Sequence, residues 1–210
     1  VARPPIVVVM GHIDHGKTTL LDFIRQTKVA EKEAGGIPQA IGAYQIEHHG
    51  KKITFIDTPG HEAFSAMRLR GSRVADIAIL VVAADEGVKP QTEEAIKIIR
   101  ENDLPFLVAI SKVDKPNADP NRVKKELAEK SVLVEGYGGT APAVEISAKS
   151  GAGVENLLET ILLLAELEEL KSDLEEPGRG VVIESHMDPR RGAAATLLVE
   201  GGTVSKGDFI

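Results

Sequence analysis

Between Ile6 and Leu170 the chain alternates short, continuous apolar runs with stretches of helical spacing, and that alternation leaves few folds open. Ile6–Met10, Ile77–Ala83, Phe106–Ile110 and Ala143–Ile146 read as strands. Tyr44–His48 and Ile53–Asp57 read as two more, joined by a turn at Gly50. Lys17–Gln26, with Leu20, Leu21 and Ile24 on one face, reads as a helix, as do Gln91–Arg100, Asn121–Lys130 and Val154–Leu170. Strands without polar interruptions, separated by amphipathic helices, predict an α/β domain: a mostly parallel, doubly wound sheet flanked by helices. Leu157, Leu158, Ile161, Leu162 and Ala165 mark the core face of the last helix. Sheets of this kind bind ligands at the carboxyl ends of their strands.

Composition narrows the class. The 42% hydrophobic content supports a packed core, and with only 3% aromatics that core is aliphatic. Cys is absent, so disulfides and thiolate metal sites are excluded. No apolar run approaches the roughly 20 residues of a membrane span, and no signal-like segment opens the chain. The expectation is a soluble, cytoplasmic protein that does not engage membranes. A net charge of −7 excludes a whole-domain electrostatic grip on nucleic acid. Length favours one domain plus part of another: residues 1–171, a charged linker at 172–179 ending near Pro177-Gly178, and a β-rich start at 180–210. There Gly180–Ser185 and Ala194–Glu200 read as strands, too few to bury a core alone.

Gly11-His12-Ile13-Asp14-His15-Gly16-Lys17-Thr18 satisfies G-x-x-x-x-G-K-[ST] between a strand and a helix. Glycines let loop N–H groups turn inward around phosphate oxygens, and the helix N-terminus adds its dipole. Lys17 would reach the β- and γ-phosphates, the Thr18 hydroxyl would ligate Mg²⁺, and Thr19 lies beside them. Asp57-Thr58-Pro59-Gly60 closes the strand from Ile53. Asp57 there can hold Mg²⁺ through water, and the Gly60 N–H can approach the γ-phosphate.

The base is addressed by Ser111-Lys112-Val113-Asp114 at the end of another strand. An aspartate accepts from both the ring N–H and the exocyclic amine of guanine, a pattern adenine does not offer. Lys112 can cover the base with its stem, and Ser147-Ala148-Lys149 can present an N–H to the guanine carbonyl. GTP and GDP, rather than ATP, follow. His61, next to Gly60, can orient an attacking water or be an ordinary exposed histidine at a helix start. His12, His15, His48 and His49 show no metal-ligand spacing, and His48 and His49 read as solvent-facing hairpin residues.

Gly11–Leu20 and Asp57-Thr58-Pro59-Gly60-His61 resemble the translational GTPases, which share the P-loop GTPase fold. Gly35-Gly36-Ile37, Gln39 and Ile41–Tyr44, Glu62–Phe64 with Arg70-Gly71, and Val81–Val88 with Pro90–Thr92 bring the chain closer to bacterial translation initiation factor 2. The resemblance covers nearly the whole chain, including a partial β-barrel segment after Gly180. It implies GTP hydrolysis on the ribosome during subunit joining, His61 as the water-orienting residue, and a monovalent cation near Asp14. It also implies further domains, one of them binding initiator tRNA, and a monomer. Three positions depart from the family pattern: Pro38 stands for Thr, Ser111 for Asn and Ala40 for His. Proline offers neither hydroxyl nor N–H to Mg²⁺ and the γ-phosphate. A guanine-nucleotide module with impaired GTP sensing, or another tRNA-delivering translational GTPase, therefore stands as the alternative.

Overall fold

The computed structural model describes residues 1–29, 43–56, 75–188 and 192–208. Six strands form the main sheet: β1 (Ile6–Gly11), β2 (Ala43–His48), β3 (Lys51–Ile56), β4 (Ile77–Ala83), β5 (Phe106–Ser111) and β6 (Ala143–Glu145). Their order is β2-β3-β1-β4-β5-β6, and all neighbours are parallel except β2 against β3. Four helices are described: α1 (Lys17–Val29), α2 (Pro90–Glu101), α3 (Pro120–Glu129) and α4 (Val154–Leu167).

Period-2 alternation divides the core into two layers. Val7, Val9, Ile77, Ile79, Val81, Leu107 and Ala109 face α1 and α4, packing with Leu20, Ile24, Leu157, Leu158 and Ile161. Val8, Met10, Ala78, Leu80, Val82, Val108 and Ile110 face α2 and α3, packing with Ile96, Ile99, Val123 and Leu127. Leu162 and Ala165 are half-buried at the edge of the first layer. Each fully buried aliphatic side chain contributes about 1.5–3 kcal/mol against exposure, so the paired layers hold the strand ends in a fixed plane.

Both α2 and α3 begin with proline, which needs no acceptor for a missing N–H. Asp119 caps α3 by accepting from the Arg122 N–H at 2.9 Å. α4 stops at Leu167 rather than Leu170 because the next residues pair elsewhere. Leu170 O accepts from the Arg3 N–H at 3.1 Å, and Ser172 exchanges backbone bonds with Val1. Arg3 also grips Asp76 through two bonds of 2.7 and 2.6 Å, while Asp76 accepts the Ile6 N–H at 2.8 Å. The chain's first residues are thus fastened at the foot of β1.

Beyond the linker, β7 (Arg179–Asp188) and β8 (Gly192–Gly201) form an antiparallel pair longer than the sequence suggested. Leu198 and half-buried Val181 rest on Ile6 and Ile56 of the main sheet.

One expectation is overturned. His48 is not solvent-facing: it is 2% exposed, while its neighbour His49 is largely exposed. β2 alternates, so His48 lies on the same face as buried Ile46. The Nδ1 of His48 stands 3.6 Å from Glu155 Oε1 of α4, a residue too distant in sequence for local spacing to reveal.

Candidate functional site

The phosphate loop begins where β1 touches β4. Gly11 has φ +137°, and a Cβ there would lie 2.3 Å from Val81 O. Only glycine permits that approach. The chain then makes a 3₁₀ turn over Ile13–His15, reverses through Gly16 in the left-handed region (φ 84°, ψ 24°) and enters α1 at Lys17. The first bond into α1 runs from the Leu20 N–H to Gly16 O, 2.9 Å. The preceding N–H groups, on Lys17, Thr18 and Thr19, belong to the first turn, where an α-helix supplies no intrahelical acceptor and its dipole favours an anion.

Lys17 is drawn across this loop, donating from Nζ to Gly11 O (2.9 Å) and His12 O (2.7 Å). Burial lowers its pKa below the ordinary lysine value, and Asp14 partly offsets that. An ammonium desolvated this way is short of negative partners, so a phosphate arriving there gains more than it would at an exposed lysine. Ile13 donates its N–H to Gln91 Oε1 at 2.9 Å, bringing α2 into the rim.

His15 packs beneath the loop. It is fully buried, its Nδ1 lies 3.3 Å from Val81 O, and its ring meets His12 edge-on at 5.0 Å. Burial pushes its pKa down to about 4, so the imidazole is neutral near pH 7 and adds no charge to the phosphate site.

Ser111 joins the phosphate loop to the base loop. At the end of β5 it is 4% exposed and donates from Oγ to His15 O at 2.6 Å. A serine in place of the longer asparagine thus still reaches the phosphate loop. Lys112 follows with φ +59°, and its Nζ donates to Glu86 Oε1 at 3.0 Å and stands 3.9 Å from Asp85 Oδ1. Lys115 binds the other Asp85 oxygen at 2.5 Å. This acidic pair after β4 fixes the Lys112 head. Asp114 Oδ1 accepts from Ser147 Oγ at 2.7 Å. That hydroxyl is the main reason the Asp114 carboxyl is held below its usual range.

Ser147, Ala148 and Lys149 lie beside Asp114 because Val113 donates to Ile146 O (3.3 Å) and Gly151 to Ser147 O (2.8 Å). Gly151 passes so close to α1 that a Cβ would come within 2.6 Å of the Phe23 ring. The phosphate loop, the Lys112–Asp114 segment and the Ser147–Lys149 segment therefore meet at the carboxyl ends of β1, β5 and β6. Asp57, Gly60, His61, Pro38 and Ala40 lie outside the described residues. Sequence reasoning missed Asp85, Glu86 and Gln91 as positioning groups. Only the packing of the loops after β4 and at the start of α2 shows what they hold.

The comparisons agree with this arrangement. Residues 3–166 match the model of the elongation factor Tu GTP binding domain. Over the full chain, the translation initiation factor IF-2 of Rubrobacter xylanophilus is 59% identical, and the chain covers 30% of that protein. The IF-2 of Carboxydothermus hydrogenoformans is 60% identical over 99% of this chain and 25% of its own length. The chain thus spans less than a third of the curated relatives it matches. Among solved structures, GDP-bound aIF5B from Aeropyrum pernix superposes with a TM-score of 0.79 at 36% identity, over 96% of this chain and 42% of that one. The apo elongation factor SelB of Methanococcus maripaludis superposes with 0.74 at 29% identity, over 99% and 44%. With the loop geometry and a domain match over most of its length in agreement, this chain belongs to the elongation factor Tu GTP-binding domain family.

Proposed function

We propose that this chain is the guanine-nucleotide switch of a translation initiation factor of the IF-2 kind, hydrolysing GTP on the ribosome during subunit joining. The observation that carries this reading is the Ser111–His15 bond of 2.6 Å, which locks the phosphate loop to the guanine-reading loop. Lys17 and the amide-rich start of α1 would bind the phosphates. Asp114 would accept from guanine, Lys112 would cover it, and the Ser147–Lys149 segment would meet its carbonyl.

The donor set also fits Mg²⁺. Thr18, in the first turn of α1, is exposed, and together with Asp57 it would hold the ion beside the phosphates. The ion would supply charge neutralisation at the β- and γ-oxygens. His61 would orient the attacking water, and Asp14, exposed on the 3₁₀ turn, is the candidate ligand for a monovalent cation. Intrinsic turnover is slow, because this chemistry depends on positioning that a partner completes. Residues 1–171 form the nucleotide domain, and 180–210 begin a β-barrel domain. Initiator tRNA is bound by domains of the parent protein outside this chain, which acts as a monomer in the cytoplasm.

Pro38 modifies the reading: GDP binds nearly normally, while GTP is distinguished from GDP less well than in relatives with threonine there. Hydrolysis of GTP and ATP, each with and without ribosomes, tests the proposal. Slow, GTP-selective turnover that ribosomes accelerate is expected. Equal use of ATP, or indifference to ribosomes, would contradict it.

A further inference from the structure

We propose that the β2–β3 hairpin and α4 form a binding site for one divalent transition-metal ion of the zinc class, with His48, His49 and Glu159 as ligands and Glu155 beside them. This site is separate from the nucleotide loops and does not rest on their reading. The Nδ1 or Nε2 of each imidazole and one oxygen of Glu159 all lie within 4.8 Å of one another. His49 Nε2 stands 3.5 Å from Glu155 Oε1 and 3.7 Å from Glu159 Oε1, and His48 Nδ1 stands 3.6 Å from Glu155 Oε1. Zinc–nitrogen and zinc–oxygen bonds of about 2.0–2.1 Å place tetrahedral ligand atoms about 3.3 Å apart. The His49–Glu159 spacing of 3.7 Å exceeds that by a few tenths of an ångström, and the remaining ligand pairs, all within 4.8 Å, close to it through side-chain rotation.

The backbone is shaped to present these groups. His49 and Gly50 both have positive φ, +49° and +75°, forming the tight two-residue turn that such hairpins favour. Histidine, like asparagine, is among the few non-glycine residues that adopt positive φ with ease, so the turn places its ring without strain. The turn brings the His49 ring to within 4.1 Å of His48, centroid to centroid. His48 is itself fixed by burial on the face of Ile46.

On α4, Glu155 and Glu159 are one helical turn apart and share a face, a like-charge spacing whose repulsion a bound cation would reduce. Lys51 pairs with Glu166 farther along the same helix, holding the hairpin against α4 independently of the four candidate groups. Two imidazoles with carboxylate suit zinc and its neighbours, whereas Mg²⁺ and Ca²⁺ prefer all-oxygen sites. The partner chemistry is therefore a borderline-soft divalent ion, and the effect is a clip between hairpin and helix.

The probe is Zn²⁺, titrated calorimetrically into the chain in chelator-stripped buffer, with Co²⁺ absorption reporting coordination geometry. The test variants are His49→Gln and Glu159→Gln, both at exposed positions, checked by melting in chelator to confirm an unchanged fold. We expect one equivalent of Zn²⁺ and a tetrahedral Co²⁺ spectrum. Each variant should weaken binding by at least about tenfold, the scale at which even outer-sphere partners of metal sites register. Absence of saturable binding overturns the proposal. So does wild-type affinity in either variant, since the ion would then sit elsewhere, for example at the phosphate-loop imidazoles.

Discussion

Replacing Ser111 with alanine tests the bond on which the two-loop arrangement depends. The hydroxyl is buried and donates at 2.6 Å to His15 O. Its loss leaves a carbonyl beneath the phosphate loop without that donor. An unsatisfied buried acceptor costs about 1–3 kcal/mol. For a chain of this size each 1 kcal/mol lowers the melting temperature by about 2–4 °C. The expected shift is therefore roughly 2–12 °C, read by calorimetry or by urea unfolding with an unchanged slope. GDP affinity should fall as well, by up to about tenfold, because part of the binding energy must then order a loop that Ser111 holds in place beforehand. A Ser111→Asn variant, which can still donate to His15 O, should lose much less. If Ser111→Ala melts and binds GDP like the parent chain, the bracing argument is wrong.

Three further outcomes follow from the same geometry. Gly11→Ala should cost about 4 kcal/mol or more, since its Cβ would sit 2.3 Å from Val81 O, and chemical denaturation would register it. His15 binds its proton near pH 6.5 when unfolded but only near pH 4 in the fold, so its contribution to stability is complete above pH 6.5 and declines as pH falls toward 4. The loss between pH 7 and pH 5 is roughly 2 kcal/mol, and His15→Gln should flatten that part of the urea-midpoint profile. Pro38→Thr should tighten binding of a non-hydrolysable GTP analogue by about 10- to 150-fold with little change for GDP, as one bond to a charged oxygen is restored; calorimetric titration of both ligands reads the difference.

Much of the fold could be read from the sequence because parallel strands buried on both faces leave continuous aliphatic runs. Ile77–Ala83 and Phe106–Ile110 stand in the structure almost as their patterns indicated. The loop motifs stand out for a different reason: the chemistry proposed for them constrains residue types at short, fixed spacings. What escaped depended on contacts between distant segments. α4 ends early because Leu170 and Ser172 pair with the first residues of the chain. His48 looked like a hairpin-surface residue, since neither its burial nor its approach to Glu155 is encoded within its own strand. Ser111 stands where the family has the longer asparagine, and only the approach of His15 O shows what its short side chain reaches. Asp85 and Glu86 gave no sign that they would fix the Lys112 head.

In the reading proposed above, Asp114 selects guanine at a site whose phosphate end is Lys17. Calorimetric titration of GDP and ADP into the chain and into its Asp114→Ala variant tests it most directly. GDP should bind to the parent chain and ADP should not. The variant should lose about 3 kcal/mol or more, over 100-fold, for GDP, because two hydrogen bonds to a charged acceptor disappear. Equal binding of the two nucleotides, or undiminished GDP affinity without Asp114, would contradict it.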